Sequence, residues 1–230
     1  SHVYSALEAA TAGPVIEGAV GGGTGMVCNG FKGGIGTASR VVSVAEKSFV
    51  VGVLVQCNYN WGGDSLRLGD RWVFDDLPVG EHCYTDPDIA PQNPWFPYCS
   101  GAELKKDSPT RDGSIIVVVA TDAPILPHQL HRLAKRPSLA LGRLGAISNP
   151  GSGDIFVAFS TGNGGAVNED AFNTVEQFPN NALNALFRGA VEATEEAIVN
   201  AMVAATTMTG ADGLRAQELP HDKVRVLFAE

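Results

Sequence analysis

The sequence predicts a layered α/β protein. Its most apolar runs are short and β-branched, its one long Ala-rich segment has helical spacing, and its glycines cluster between them. The apolar runs are Phe49 to Val55, Ile115 to Val119 and Ile155 to Phe159. The Ala-rich segment spans Asn180 to Thr207, with Leu183, Leu186, Ala190, Ile198 and Met202 near helical spacing.

Taken in order, Val3 to Ala12 reads as a short helix stopped by Gly13-Pro14. A glycine-dense stretch follows from Gly18 to Gly36. Strands are expected at Gly36 to Val44 and Ser48 to Cys57, the second apolar on both faces and hence buried. From Asn58 to Gly113 no period of 2 or 3.6 is sustained. Trp61, Trp72, Trp95, Phe96 and Tyr98 make this long connection a packed excursion rather than a loose linker. Ile115 to Val119 then places five β-branched residues in succession, the strongest strand in the chain. Pro127 to Leu144 is a helix broken at Pro137. Asp154 to Thr161 is another buried strand, 210–213 a turn, and Pro220 to Glu230 a short helix.

The chain has 230 residues, enough for one large domain with its own core. A net charge of −9, with scattered Lys and Arg, argues against nucleic acid. No apolar run reaches the roughly 20 residues of a membrane span. The opening Ser1-His2-Val3-Tyr4 has no signal-peptide layout, so the expectation is a soluble protein of either cytoplasm or periplasm. Gly21-Gly22-Gly23-Thr24-Gly25 lacks the Gly-Lys-Ser/Thr ending of a phosphate loop. Cys28, Cys57, Cys83 and Cys99 form no C-x-x-C pair, so a zinc site is not expected. Cys57 reads as a small buried hydrophobe. Cys83 and Cys99 bracket a Pro-rich loop and would pair in an oxidising compartment; free thiols are the expected state.

Asp112-Gly113-Ser114 immediately before the strong strand carries the chemistry. A serine at the mouth of a buried strand is held rigidly, and a preceding glycine leaves its carbonyl open to attack. If Ser114 Oγ attacks the Gly113 carbonyl, the peptide becomes an ester, and water frees an α-amine on the nucleophilic residue itself. An α-amine titrates at about 7.7–8.0, so it can take the proton of its own hydroxyl. None of the five histidines suggests a Ser-His-Asp triad. A Gly-Ser step before a strand is ordinarily a turn, and the residues alone leave that reading open.

Several long blocks in order decide the matter. Gly13 to Gly18, Val20 to Met26, Phe31 to Arg40, Val51 to Asn58, Asp112 to Pro124, Pro127 to Ala134 and Asn149 to Gly162 resemble the L-aminopeptidase/D-esterases and β-peptidyl aminopeptidases. The resemblance covers the chain except the 58–113 connection, which is longer and more aromatic than the family's. It implies a four-layer αββα sandwich, similar to N-terminal-nucleophile hydrolases with different connectivity. It also implies a single catalytic domain, N-terminally truncated relative to the family, cut into an α piece ending at Gly113 and a β piece of 114–230.

The implied activity is that of a serine aminopeptidase or amidase, working on small peptides, amides or esters as a homo-oligomer, with no metal or organic cofactor. Residue by residue, Ser114 matches the nucleophile and Gly113 its scissile partner. Ser152 matches a serine that orients the α-amine. Asp154 matches the acidic member, where some relatives carry Glu. Asn58 matches the amide donor of the oxyanion hole, with Asn60 two positions on facing the same side of an extended segment. Without the resemblance, Ser152 reads as a turn serine and Asp154 as a strand-opening cap. The glycine blocks either line the pocket or turn the chain. Ornithine acetyltransferase-like acyl transfer, which uses threonine, and a non-catalytic scaffold are the competing readings.

Overall fold

A computed structural model describes residues 1–61, 65–78, 81–88, 96–101, 113–167, 170, 172–211 and 213–229. Trp95, Asp112 and Asp212 of the expected turn lie outside them. The centre is a four-stranded sheet of β1 (Ile35–Val44), β2 (Lys47–Asn58), β3 (Ser114–Thr121) and β4 (Ile155–Ser160), in that spatial order. β1–β2 and β2–β3 are antiparallel; β3–β4 is parallel.

Alternation along the strands sends Val51, Val53, Val55 and Cys57 of β2, and Ile115, Val117 and Val119 of β3, into one buried face. Helix α4 (Leu183–Val203) covers that face with Leu186, Ala190, Ala193, Ala197, Ile198 and Met202, all at 0% exposure. The small residues let helix and sheet approach closely. A Cβ at Gly36 would stand 1.9 Å from the Ala197 carbonyl oxygen, so no side chain fits there. Helices α2 (Pro127–Ala134) and α3 (Pro137–Arg143) are split ahead of Pro137 as expected, and α3 packs on α4. The Pro220 to Glu230 segment contains α5 (His221–Leu227).

The opposite face of the sheet is apolar but open. Ile116, Val157 and Ile155 are 39%, 47% and 53% exposed, and Val50 and Phe159 are exposed as well. This corrects the expectation that β2 and β4 are buried on both faces. Among the described residues there is one helix layer on one sheet, and the outward side chains of β4 carry the pattern of a strand awaiting a second layer. The opening helix α1 (His2–Glu8) is shorter than expected and contributes no buried residue.

Within 58–101, the described residues are packed as anticipated: Tyr59, Leu66, Val73, Leu77 and Tyr84 are buried, and Trp61 stacks on Phe96 at 5.9 Å. Cys83–Tyr84 joins a small antiparallel sheet with Leu214–Ala216 and Met208–Thr209. The free-thiol expectation is corrected, because Cys28–Cys57 and Cys83–Cys99 are both disulfides. Their Cα atoms lie 5.4 and 5.0 Å apart, a proximity made by tertiary packing over 29 and 16 residues of chain.

Next to this small sheet a buried lysine and a buried histidine both bond the Gln217 main chain. Lys32, 2% exposed, donates from Nζ to the carbonyls of Met26 (2.6 Å), Gly33 (2.8 Å) and Gly23 (3.3 Å). Burial lowers its ammonium to about 8. His82 is held down to about 4, first by burial and then by the Lys32 charge. The unfolded chain therefore takes up a proton near pH 6.5 that the fold refuses until about pH 4. Stability from this group is present above the unfolded value and lost as pH falls through that window. Urea midpoints measured from pH 7 to 4 are expected to fall more steeply for the wild type than for His82→Gln. The excess loss should be on the order of 3 kcal/mol; parallel curves would refute it.

Candidate active site

The strand directions bring the candidate residues to one end of the sheet. β2 runs toward that end and finishes at Asn58, β3 begins there at Ser114, and the two residues are register partners. Parallel pairing brings the start of β4 alongside the start of β3, with Ile116 opposite Ile155. Asp154, immediately before β4, therefore reaches across to the first residues of β3.

The contacts are specific. Ser152 Oγ donates to Asp154 Oδ1 at 2.6 Å, and the same carboxylate oxygen accepts the Ile115 N–H at 3.3 Å. Gly153 N–H donates to Ser114 Oγ at 2.9 Å. Ser152 is shaped by a turn in which its own N–H bonds the Asn149 carbonyl. Asn58 Oδ1 accepts the Val27 N–H at 3.1 Å, which leaves the Nδ2 end as the donor. The structure thus brings Ser114, Ser152, Asp154 and Asn58 to one strand mouth.

Gly113 has a structural requirement of its own. A Cβ there would lie 2.7 Å from both the Asn58 carbonyl oxygen and Tyr59 Cα. Only glycine lets the chain enter β3 so close to the end of β2.

Asn60 separates from Asn58 in a way an extended reading does not foresee. β2 ends at Asn58 and Asn60 is left-handed, with φ of 53°, so it does not continue the strand's alternation. Its Nδ2 is taken up by Asn29 Oδ1 and Ser65 Oγ, both at 3.2 Å.

A cleft of about 310 Å³ opens beside Gly113, Ser152 and Asp154, walled by Tyr59, Leu141 and Ile147. The glycine blocks do not line it. They turn and pack the chain, as at Gly34, whose φ of 153° sets it against the Gly18 carbonyl. Burial, with the Asp154 carboxylate adding to it, pushes the Tyr59 phenol above its ordinary range, so this wall is neutral.

Two participants escape sequence reasoning. The Gly153 N–H on the nucleophile oxygen had only its glycine-flanked serine as a signal. The Val27 N–H that orients Asn58 had none, because main-chain donors leave no mark in residue identity.

The sequence pattern of Peptidase family S58 matches residues 1–216. β-Peptidyl aminopeptidase BapA of Sphingosinicella microcystinivorans is 47% identical over 99% of this chain and 55% of its own length. BapA of Sphingosinicella xenopeptidilytica is 42% identical over 97% of this chain and 53% of its own. The L-aminopeptidase D-Ala-esterase/amidase of Ochrobactrum anthropi is described as a prototype serine aminopeptidase with a variant N-terminal-nucleophile hydrolase fold. It superposes with a TM-score of 0.76 at 41% identity, over 99% of this chain and 56% of that one. The chain spans about half the length of the curated relatives it matches. Its fold is that of the N-terminal-nucleophile hydrolases.

Proposed function

Because the chain belongs to peptidase family S58, we propose that it carries the catalytic centre of a self-processed serine aminopeptidase, releasing N-terminal residues from peptides, amides or esters. The observation that carries this reading is the Gly153 N–H on Ser114 Oγ, with the Ser152–Asp154 pair beside it and Asn58 opposite.

In processing, Ser114 Oγ attacks the Gly113 carbonyl carbon. The Gly113–Ser114 C–N bond breaks, the acyl group moves to oxygen, and water hydrolyses the ester. Gly113 leaves as a carboxylate and Ser114 keeps both its hydroxyl and a free amine, dividing the chain into 1–113 and 114–230.

In turnover, that amine takes the Oγ proton as Oγ attacks the substrate carbonyl. The negative charge that forms on the carbonyl oxygen is stabilised by Asn58 Nδ2. The amine then passes its proton to the leaving group, forming an acyl-enzyme, and next activates the water that releases the acid. Ser152, which donates to Asp154, and Asp154, which also accepts the Ile115 N–H, hold the amine in place.

The names of the two relatives make a peptide beginning with a β-amino acid the first substrate to test. The active form in this proposal is a homo-oligomer of paired pieces, which light scattering of the purified protein checks. Intact-mass measurement with N-terminal sequencing tests processing directly. Two species are expected, one beginning at Ser114; a single unbroken chain in active protein would exclude the mechanism.

A further inference from the structure

The end of β2 is fastened to the segment 27–29 by three successive links. Val27 N–H bonds Asn58 Oδ1 at 3.1 Å, Cys28 is disulfide-bonded to Cys57, and Asn29 N–H bonds the Tyr59 carbonyl at 2.9 Å. A fourth contact, Asn29 Nδ2 to the Tyr59 hydroxyl at 3.1 Å, closes the set. The covalent link sits in the middle, and both sulfur-bearing residues are at 0% exposure. Because strand residues alternate, Cys57 points into the core while its neighbour Asn58 points to the other face, at the level of Ser114. The hidden face is therefore bolted, and the orientation of the working face follows from it.

We propose that the Cys28–Cys57 disulfide is a positioning element of the catalytic centre, holding Val27 N–H against Asn58 Oδ1 so that the Asn58 NH₂ stays aimed at the developing oxyanion. This rests on the role given to Asn58 above. An unconstrained carboxamide can turn about its last bond and exchange its oxygen and nitrogen ends, and an oxygen facing an oxyanion repels it. One backbone donor on Oδ1 breaks that symmetry, but only while its segment stays in register with the strand. The hairpin of Val27–Cys28 with Phe31–Lys32 has two residues on each side, so the disulfide is its strongest tie to β2. Cys28, Cys57 and Val27 are positioning residues here; none touches the reacting atoms.

The test is a double-mutant cycle on the full-length protein, with rates referred to the processed fraction measured by intact mass. Alkylation in denaturant without reduction should leave Cys28 and Cys57 unmodified. Removing the bond with Cys28→Ser/Cys57→Ser, or with the core-filling pair Cys28→Ala/Cys57→Val should the first fold poorly, is expected to lower kcat by about ten- to a hundredfold. KM for a β-aminoacyl amide should change by less than about twofold, because ground-state binding is untouched. In an Asn58→Ala background the same pair of changes should cost less than about twofold, since the group being positioned is already gone.

The control pair Cys83→Ser/Cys99→Ser should leave kcat unchanged. An equal loss with and without Asn58 would overturn the proposal while leaving the oxyanion role standing, as would an unchanged kcat or alkylation of the native cysteines. An undiminished kcat in Asn58→Ala alone would remove the oxyanion role itself, and this inference with it.

Discussion

A Ser114→Ala variant is expected to remain one uncut chain and to hydrolyse neither peptide, amide nor ester. Both reactions assigned to this centre begin with the same oxygen, so one substitution removes both. Loss of a nucleophile from a hydrolase costs on the order of 10⁶ in kcat, with binding and oxyanion contacts supplying what little remains. The substitution is mild for the fold. Ser114 begins β3 as a partly buried residue, and its oxygen accepts one hydrogen bond, from Gly153 N–H. Alanine fits that position, and the register with Asn58 is made by the backbone. Thermal unfolding should therefore sit close to that of the unprocessed wild type. Mass spectrometry and a chromogenic amide assay on the same preparation decide the outcome. A cleaved or active Ser114→Ala protein would sink the whole scheme.

Replacing Asn58 with alanine is expected to lower kcat by about 10²–10³-fold, corresponding to about 2.7–4 kcal/mol of barrier, the usual consequence of losing one oxyanion donor. The effect should fall on kcat, because charge builds on the carbonyl oxygen only as Oγ adds. An Asn58→Asp variant sharpens the test. Its carboxylate still accepts the Val27 N–H, so the local fold is kept, but it has no N–H to offer and places a negative charge where one must form. Its activity should be no better than that of Asn58→Ala. Steady-state kinetics on the processed fraction of each variant would settle the point, and an Asn58→Asp enzyme with wild-type kcat would remove Asn58 from the mechanism.

Much of this arrangement was legible in the residues, for physical reasons that can be named. Ile115 to Val119 could be nothing but a strand, and Pro137 had to break a helix, because β-branching and a missing N–H act locally. The strands at 35–44 and 47–58 were readable from their apolar runs. What failed were statements about partners. Cys28 finds Cys57 only because a hairpin folds over the end of β2, and nothing in their spacing encodes that. β4 looked buried because its residues are apolar on both sides, yet burial depends on what lies across the sheet. Asn58 is preferred to Asn60 on sequence because it directly follows the strand end; the left-handed turn that takes Asn60 off the strand's alternation is one a two-residue periodicity cannot anticipate.

The place of the proposed break within the sheet has a thermodynamic consequence. Strands β1 and β2 lie before Gly113, β3 and β4 after it, and both disulfides join residues on the early side. Cut there, the chain would become two pieces whose shared interface is its own core: the antiparallel ladder of 51–58 against 114–121 and the seat of α4 on β1 and β2. No covalent bond among these cysteines tethers one partner to the other. Unfolding then becomes dissociation, its midpoint moves with protein concentration, and reassembly is second order. Cleavage there would exchange a single-chain folding problem for a complex whose halves were folded together before they were parted.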